Sequence, residues 1–374
     1  MKIVFSDNRL GGLLGFRVDV IRHFIEQGNE VILLAPKARS QWDKVGTMVA
    51  GCRVIEVPMS PHGMNPIKDF GLFVKYLKVY RKERPDLVFN YTIKPNIYSC
   101  LAARLCGVKV IDMLAGLGYI FTEGGITKSI GRAIYRFSLR RAHRVMVLNR
   151  DNRDFVVKGG YALRERTVML PCGEGINLDA YPYREEPFEA PVRFLMIARV
   201  LYDKGYREFV EAAKTIHKSR PDVIFELLGP LDTDSPTRVL PEEVEQDVKS
   251  GHIRYLGFSN NVPDYVLRDG VVVVLPSYGE GLNRSLMEAC SMGRPIITSD
   301  IAGCKEMVED GRSGYLVAPY DSQSLASAFD RFLKLTPEER RQMSRRSHQL
   351  AIERFDIRLA IDIYEQIVEQ VMKN

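Results

Sequence analysis

The chain has 374 residues, of which 45% are hydrophobic and 27% are charged. This composition excludes intrinsic disorder, and the length exceeds what one ordinary hydrophobic core serves, so two domains are expected. Lysine and arginine outnumber aspartate and glutamate by 53 to 47. Such a mild excess suits a phosphate-bearing ligand or an anionic membrane surface better than sequence-specific nucleic-acid binding, so no nucleic-acid partner is expected.

The cysteines and the start of the chain indicate a compartment. The six cysteines form no CxxC pair and show no ligand spacing with histidine, which predicts free thiols in a reducing environment and no metal centre. No stretch approaches the roughly 18 apolar residues of a membrane-spanning helix. Residues 1–5 already have the pattern of a strand, with no signal peptide before them. We therefore expect a cytoplasmic protein.

Short apolar or β-branched runs alternate with longer amphipathic segments, which predicts parallel β/α units. In the first half, strands are predicted at 2–6, 30–35, 53–57, 86–91, 108–113, 144–149 and 167–171. A Pro/Gly-rich, charged stretch at 171–191 interrupts this alternation and predicts the domain boundary. Beyond it, strands are predicted at 192–198, 223–229, 253–258, 271–276, 295–299 and 314–318, and then helical periodicity from about 322 to 372. The predicted fold class is α/β, with two doubly wound parallel sheets in tandem and a ligand in the cleft between them.

The first candidate site is Arg9-Leu10-Gly11-Gly12-Leu13, between the first strand and an amphipathic helix predicted at 16–26. Two glycines there would let backbone N–H groups approach an anion at the start of a helix. The run is not GxGxxG, and a tight strand-to-helix turn explains it equally well.

The second candidate site is a pair of cations at the end of the first strand of the second domain. Arg199 closes that strand and Lys204 opens the next helix. A planar guanidinium and a compact ammonium can converge on one diphosphate. The alternative is that both are solvated surface cations.

The third candidate site is a pair of carboxylates, Glu280 and Glu288, around the start of a helix. A capping box from Ser285 to Glu288 would explain the second acid structurally. That helix would have only about two turns before Gly293, so a start near Asn283 is favoured. Glu288 then lies among apolar neighbours and needs a partner. Two carboxylates that accept hydrogen bonds, opposite a pair of cations that binds a diphosphate, suit a nucleoside diphosphate sugar with hydroxyl groups at both ends.

These residues match a known pattern. The run from Arg199 to Lys204, together with the Glu-x7-Glu motif from Glu280 to Glu288, resembles the family 4 retaining glycosyltransferases of GT-B fold over essentially the whole chain. More narrowly, three segments are similar to bacterial enzymes that extend undecaprenyl-diphosphate-linked sugars, including the N-acetylgalactosaminyltransferases that act on lipid-linked diacetylbacillosamine. These segments are Ile93-Lys94-Pro95-Asn96, Ala115-Gly116-Leu117-Gly118 and Met196-Ile197-Ala198-Arg199.

The resemblance implies a domain arrangement. Two Rossmann-like domains would face each other across a cleft, with an acceptor-binding domain at 1–180 and a nucleotide-sugar-binding domain at 190–356. A final helix at 357–374 would cross back to the first domain.

The resemblance also assigns roles to residues. Arg199 and Lys204 would neutralise the leaving diphosphate, Glu280 would contact the donor sugar as a further catalytic residue, and Glu288 would hold the ribose hydroxyls. Other donor contacts would come from Gly11, Gly12, Gly281, Leu282, Asn283 and Arg284. Many relatives carry a histidine after the fourth strand, where this chain has none. The acceptor contacts predicted instead are Lys94, Asn96, Gly116 and Gly118.

The implied reaction is a retaining transfer of a sugar from a UDP-sugar to a polyprenyl-diphosphate-linked saccharide, without a metal, a cofactor or a covalent protein nucleophile. Asp232-Thr233-Asp234 imitates the DxD metal motif of another glycosyltransferase fold, but its Pro/Ser-rich surroundings are typical of a turn. A nucleotide-sugar epimerase and a non-catalytic nucleotide-sugar-binding protein remain as alternatives.

A basic amphipathic helix around residues 128–141 suggests where a lipid-linked acceptor arrives. Its cations could meet the inner face of the cytoplasmic membrane of a bacterium and make the protein peripheral there. The alternative is that the apolar face packs on the sheet and the cations meet water. The predicted membrane contacts are Lys128, Arg132, Arg136 and Arg140, interspersed with Ile130, Ile134 and Phe137.

Overall fold

The computed structural model describes residues 1–37, 45–60, 65–115, 126–189 and 191–373, with the backbone alone for residues 126–128. The chain forms two compact units. One consists of Met1–Glu174 with Ile357–Asn374, and the other of Gly175–Asp356. Within the described ranges, none of the helices combines the length and the apolar character needed to cross a bilayer.

The first unit is built on a parallel sheet, in which the described residues form seven strands. They are β1 Lys2–Ser6, β2 Glu30–Ala35, β3 Arg53–Glu56, β4 Leu87–Tyr91, β5 Lys109–Leu114, β6 Arg144–Val147 and β7 Thr167–Met169. The spatial order is β3-β2-β1-β4-β5-β6-β7, with every pair parallel. The order reverses between β1 and β4, and doubly wound sheets bind ligands at the carboxyl ends of the strands around such a point.

Helices cover the sheet of the first unit and bury its apolar strands. They include Leu10–Phe16, Val18–Glu26, Pro66–Glu83, the π-helix Pro95–Ser99, its α-helical continuation Cys100–Leu105, Ile126–Leu139, Arg150–Lys158 and Ile357–Lys373, with a short 3-10 helix at Arg164–Arg166. The last α-helix packs on Val18–Glu26. It thereby completes the first unit with residues from the end of the chain.

The second unit repeats the design with a parallel sheet in which the described residues form six strands. They are β8 Arg193–Ile197, β9 Ile224–Leu228, β10 Arg254–Tyr255, β11 Val271–Leu275, β12 Ile296–Ser299 and β13 Gly314–Val317. Their order is β10-β9-β8-β11-β12-β13. The reversal therefore lies between β8 and β11.

The helices of the second unit pack on both faces of its sheet. They include Tyr206–His217, Pro241–Lys249, Pro263–Val266, Arg284–Ser291, Ser322–Leu333 and Pro337–Arg354, with 3-10 turns at Leu178–Ala180, Tyr202–Lys204 and Lys305–Met307. On one face, the ring of Phe194 stacks on Phe329 at 4.2 Å and on Phe225 at 5.3 Å. On the other, Leu286 and Cys290 are fully buried against the strands.

The predicted strands are confirmed, with ends within two residues of those predicted, except that 253–258 contains only the short strand β10. The helix predicted at 16–26 is confirmed as Val18–Glu26, and a further helix, Leu10–Phe16, precedes it where none was predicted. The helical pattern from 322 to 372 is interrupted twice. Pro337 starts a new helix whose capping box joins Thr336 and Glu339.

Candidate functional site

The reversal point of the second sheet places two predicted motifs side by side. Arg199 follows β8, and Glu280 follows β11, the strand that pairs with β8. Backbone and side-chain hydrogen bonds join the two loops, because Asp203 O accepts from Tyr278 N at 2.9 Å and from Ser277 Oγ at 3.2 Å. The crevice where this class of sheet binds ligands is thus bounded by the predicted residues.

Two glycines allow this close packing of loops. Gly205 has φ 82°, and a Cβ there would lie 2.2 Å from Pro276 O. Gly303 has φ 81°, and a Cβ there would lie 2.1 Å from Gly281 O. Any other residue would clash and be strained at these positions. Sequence reasoning missed both, although Gly205 directly after Lys204 was an available signal.

The predicted cations of this site each contact a carboxylate. Lys204 Nζ lies 2.7 Å from Glu280 Oε1, and these side chains are 16% and 11% exposed. Arg199 Nη1 lies 2.6 Å from Asp232 Oδ2, and the arginine side chain is 53% exposed. The structure therefore brings Arg199, Lys204 and Glu280 to one edge of the sheet. The ion pairs of the two cations are partly exposed, so an anionic ligand could replace their carboxylate partners.

The second carboxylate of the motif lies inside a helix, as predicted. The helix is Arg284–Ser291, and Asn283 caps it by accepting a hydrogen bond from Leu286 N at 3.1 Å. The capping-box interpretation is wrong, because the cap is Asn283 and not Ser285. Glu288 instead accepts from Arg284 Nε at 2.8 Å and is 9% exposed.

The partner of Glu288 is Arg284, for which a donor contact is predicted. The Arg284 side chain holds the predicted ribose carboxylate, and its donor contact stays a prediction. Burial lowers the pKa of Arg284, but the Glu288 carboxylate and the Tyr181 hydroxyl outweigh burial and raise it. Sequence reasoning missed Tyr181, whose carbonyl accepts from Ser291 Oγ at 2.7 Å. Its position in the irregular stretch before β8 carried no recognisable signal.

The remaining donor-binding predictions in this unit surround the same turn. Gly281 and Leu282 are half-buried, and Asn283 N donates to Gly303 O at 3.4 Å. Asp232, part of the DxD imitation, faces Arg199. Across the described part of the chain, no three His, Cys, Asp or Glu side chains are placed to hold a metal ion.

In the first unit, the glycine motif after β1 has a different structure from the one predicted. Gly11 and Gly12 lie inside the helix Leu10–Phe16, not in a loop ahead of it, because the helix starts directly after Arg9. A Cβ on Gly12 would lie 2.7 Å from Asp7 Oδ2. The glycine is thus needed for the approach of that carboxylate. The donor role of both glycines stays a prediction.

A buried charge cluster that sequence reasoning missed lies behind this helix. Arg17, 5% exposed, pairs with Asp7 Oδ2 at 3.2 Å and with Glu174 Oε1 at 2.7 Å, and its guanidinium lies 4.2 Å from the Tyr91 ring centroid. Tyr364 Oη donates to Glu174 Oε2 at 3.2 Å. Burial lowers the pKa of Arg17, but the two carboxylates more than compensate and raise it.

Two of the four residues predicted to contact the acceptor lie in the described part of the first unit, and their environments differ. Lys94 Nζ lies 2.8 Å from Asp69 Oδ1. Asn96 is fully buried and donates to Met113 O at 2.8 Å and to Tyr135 Oη at 3.0 Å. Asn96 therefore holds the π-helix to the sheet and has no exposed atom for an acceptor, which corrects its predicted contact role. Gly116 and Gly118 lie outside the described residues.

The basic helix Ile126–Leu139 keeps apolar residues on its outer face. Tyr135 and Leu139 are buried, whereas Ile130 is 53% and Phe137 is 50% exposed. The buried pair agrees with the alternative that an apolar face packs within the unit, whereas about half of each of the other two side chains stays exposed. Membrane contact stays a prediction. Arg140 is exposed, Arg132 donates to Ser129 Oγ at 3.1 Å and Arg136 donates to Gly160 O at 2.9 Å, while the side chain of Lys128 lies outside the described set.

The strand orders and the site define a class: proteins with two Rossmann-like domains, the GT-B architecture. Comparison with known families agrees with this class. The model described as "Glycosyl transferase 4-like domain" matches residues 15–173, and the model described as "Glycosyl transferases group 1" matches residues 182–350. The two models together account for most of the chain, which belongs to this family of glycosyltransferases and is an enzyme of that kind.

Two curated proteins are similar to this chain over most of its length. The N,N'-diacetylbacillosaminyl-diphospho-undecaprenol alpha-1,3-N-acetylgalactosaminyltransferase of Campylobacter jejuni is 26% identical, with 100% of each chain covered. The UDP-Gal:alpha-D-GlcNAc-diphosphoundecaprenol alpha-1,3-galactosyltransferase of Escherichia coli is 26% identical over 75% of this chain and 74% of its own.

Solved structures share the fold. Anabaena HepE in complex with UDP has a TM-score of 0.79 at 18% identity, with 100% of both chains covered. Sucrose-phosphate synthase from Thermosynechococcus elongatus has a TM-score of 0.80 at 18% identity, covering 100% of this chain and 99% of that one. These likenesses confirm the predicted GT-B fold.

Proposed function

We propose that this glycosyltransferase moves a sugar from a UDP-sugar to a polyprenyl-diphosphate-linked saccharide, with retention of the anomeric configuration. The observation that carries the proposal is the meeting of Arg199, Lys204 and Glu280 at the reversal point of the second sheet. The names of both curated relatives, which act on undecaprenyl-diphosphate-linked sugars, support the acceptor class.

The chemistry that we propose relies on electrostatics. The bond between the anomeric carbon and the donor phosphate breaks, and negative charge develops on the leaving diphosphate. Arg199 and Lys204 exchange their carboxylate partners for that diphosphate and stabilise its charge. The acceptor hydroxyl oxygen bonds to the anomeric carbon on the face that the phosphate leaves, and its proton passes to a phosphate oxygen. No metal and no protein nucleophile takes part in the proposed step.

The two glutamates have separate roles in this proposal. Glu280, released from Lys204 when the diphosphate binds, accepts hydrogen bonds from the donor sugar. Glu288 accepts hydrogen bonds from the ribose hydroxyls, and its contact with Arg284 orients it. The first unit would bind the acceptor, and the second would bind the nucleotide sugar.

The decisive experiment is a screen of UDP- and GDP-sugars with a synthetic polyprenyl-diphosphate sugar, scored by product mass, with the anomeric configuration read by NMR. Transfer that persists in EDTA supports the metal-free step, and an inverted product would exclude retention. Glu280→Ala separates the alternatives. A transferase loses turnover by orders of magnitude, a pure binding protein holds the donor nearly as before, and an epimerase converts the donor without any acceptor.

We further propose that the enzyme is peripheral at the cytoplasmic face of a bacterial membrane, through the outer face of the helix Ile126–Leu139. Exposed Ile130 and Phe137 beside Arg136 and Arg140 suit the boundary between headgroups and acyl chains. Co-sedimentation with anionic liposomes tests this idea. The expected result is pelleting at low salt that weakens in Phe137→Ser, and an absence of pelleting would contradict it.

A further inference from the structure

A basic cavity in the first unit is not explained by the donor chemistry. Its volume is about 810 Å³, and it lies at the carboxyl ends of β2 and β3 against one face of the helix Pro66–Glu83. Several separate segments contribute lysines to its lining. These are Lys37, Lys68, Lys75 and Lys94.

The charge balance of this cavity favours an anion. Two acids also line it, Glu56 and Asp69. Asp69 is 4% exposed and bound to Lys94 Nζ at 2.8 Å and to Asn65 N at 3.1 Å. Asp69 therefore positions Lys94. Its negative charge is then not available to neutralise the other lysines of the lining. Like charges that line one concave surface attract an anionic ligand.

A glycine in the same helix leaves room for the ligand. Gly71 lies inside Pro66–Glu83 and lines the cavity. A glycine inside a helix makes the helix less stable than an alanine at the same position would. No heavy atom lies within 4 Å of the place that a Cβ on Gly71 would take. The packing of the protein therefore leaves room for a side chain at position 71. A ligand that occupies the cavity explains the glycine instead.

The first five residues of that helix include two exposed, large apolar side chains. Ile67 is 85% exposed and Phe70 is 66% exposed. Neither lines the cavity, and both lie within a few residues of Lys68, which does. Exposed apolar groups near a basic cavity suit a ligand with a charged head and a hydrocarbon chain better than a free phosphate.

We propose that this cavity binds the diphosphate of a lipid-linked acceptor, with Ile67 and Phe70 against the start of its prenyl chain. Lysine ammonium groups act as point charges on phosphate oxygens, which suits a flexible lipid diphosphate. The acceptor class rests on the proposed function, but the recognition of a prenyl diphosphate rests on the cavity itself.

Binding of farnesyl diphosphate, followed by calorimetry on the full chain, tests the cavity directly. In the double variant Lys68→Gln/Lys75→Gln the Kd is expected to rise at least about tenfold, because charge-assisted contacts are lost. The matched control Lys78→Gln/Lys82→Gln changes the same helix outside the cavity lining and is expected to shift the Kd less than about twofold. Equal losses in both variants, or absence of binding to the wild type, overturn the proposal.

Gly71→Leu supplies a test that does not depend on charge or on folding defects. The leucine side chain would project into the cavity, and replacing a helical glycine favours the helix. The expected result is weaker farnesyl diphosphate binding at an unchanged or higher melting temperature. Unchanged binding would show that the ligand lies elsewhere and would overturn the proposal.

The lipid part is tested with Ile67→Ser/Phe70→Ser. This variant is expected to weaken farnesyl diphosphate binding several-fold while leaving the binding of inorganic pyrophosphate unchanged, because the apolar contact is lost. An equal loss for both ligands would contradict lipid contact. If Lys68→Gln/Lys75→Gln weakens binding to anionic vesicles but not to farnesyl diphosphate, the cavity recognises bulk headgroups and the proposal fails.

Kinetics separate this proposal from the proposed function. If the wild type transfers sugar, the cavity variants are expected to raise the KM for the lipid-linked acceptor at least about tenfold with an unchanged KM for the donor. If the wild type binds farnesyl diphosphate through the cavity but transfers no sugar to any lipid-linked acceptor, the cavity stands and the proposed function fails. A raised donor KM alone would overturn the cavity assignment.

Discussion

Two clusters of charged residues, one around Arg17 in the first unit and one around Lys204 in the second, differ in how far they are buried. In the first unit, Arg17 and its partners Asp7 and Glu174 are almost fully buried, with side-chain exposures of 5%, 2% and 7%. In the second unit, Lys204 and Glu280 keep 16% and 11% of their surface exposed. Arg199 keeps 53%.

This difference separates structural pairs from displaceable ones. Breaking a buried ion pair leaves an uncompensated charge in the interior. Such a pair is therefore expected to stay intact when a ligand binds and leaves. A partly solvated pair costs little to open, so its charges are free to meet a diphosphate. The comparison predicts that changes in the first cluster affect folding, whereas changes in the second affect catalysis.

The largest expected effect is on the free energy of unfolding when Arg17 is removed. Arg17→Met leaves two buried carboxylates unpaired and is expected to cost about 3–5 kcal/mol. Urea denaturation followed by circular dichroism measures it. The control Arg22→Met breaks an exposed pair with Asp19 in the same helix and is expected to cost below about 1 kcal/mol. Similar costs for the two would break the comparison.

The next effect is on turnover. Lys204→Ala is expected to lower kcat/KM by about 10²–10³-fold, because the stabilisation of the leaving diphosphate that we propose for Lys204 is lost. Its unfolding free energy should change by less than about 1 kcal/mol. Lys214→Ala, in the following helix and paired with Glu211, is the control and should leave both values unchanged. A Lys204 variant that unfolds but retains full turnover would refute the assignment.

A pH effect sharpens the structural side of the comparison. Asp112 on β5 is fully buried, and burial raises its pKa to about 8, although Asn90 donates to it at 2.8 Å. The folded chain thus keeps a proton that the unfolded chain releases near pH 4, so stability falls as pH rises from about 4 to about 8. Asp112→Asn removes this slope, which is at most about 1.4 kcal/mol per pH unit.

The measurement for Asp112 is a set of urea midpoints from about pH 5 to above pH 8 for both proteins. The difference in stability between variant and wild type should grow with pH across this window and stop growing above about pH 8. A constant difference would contradict a neutral carboxyl at neutral pH.

The smallest effect concerns the helix that carries Glu288. Asn283→Ala removes the side-chain cap on Leu286 N and is expected to cost about 1 kcal/mol in thermal unfolding. Ser285→Ala is the matched control, since the serine lies next to the cap without serving as one. A larger cost for Ser285→Ala would restore the capping-box interpretation.

The fold was largely predictable because parallel strands buried on both faces have apolar, β-branched sequences. The run at 271–276 and the strand β11 Val271–Leu275 illustrate this agreement. The motif of the second unit was also predictable, because its residues follow directly on strands whose order the fold dictates. Arg199 and Glu280 follow two strands that pair with each other for that reason.

What could not be predicted depends on contacts between residues distant in sequence. Arg17 lies in a pattern that also fits one continuous amphipathic helix, and nothing local marks Glu174 or Tyr364 as its companions. Asn96 lies in a motif suggestive of ligand binding, yet the π-helix that carries it is held by Met113 on the strand β5. Such pairings follow from packing and leave no periodic signal.

The helix Ile357–Lys373 belongs to the first unit and buries Tyr364 against Phe89 and Tyr91. The first unit is therefore discontinuous along the chain, whereas the second, Gly175–Asp356, is continuous. During synthesis the second unit has all of its residues before the first does, which reverses the usual order in which the N-terminal domain folds first. Until residues 357–373 have been synthesised, Phe89 and Tyr91 lack the contact with Tyr364 that they have in the folded unit.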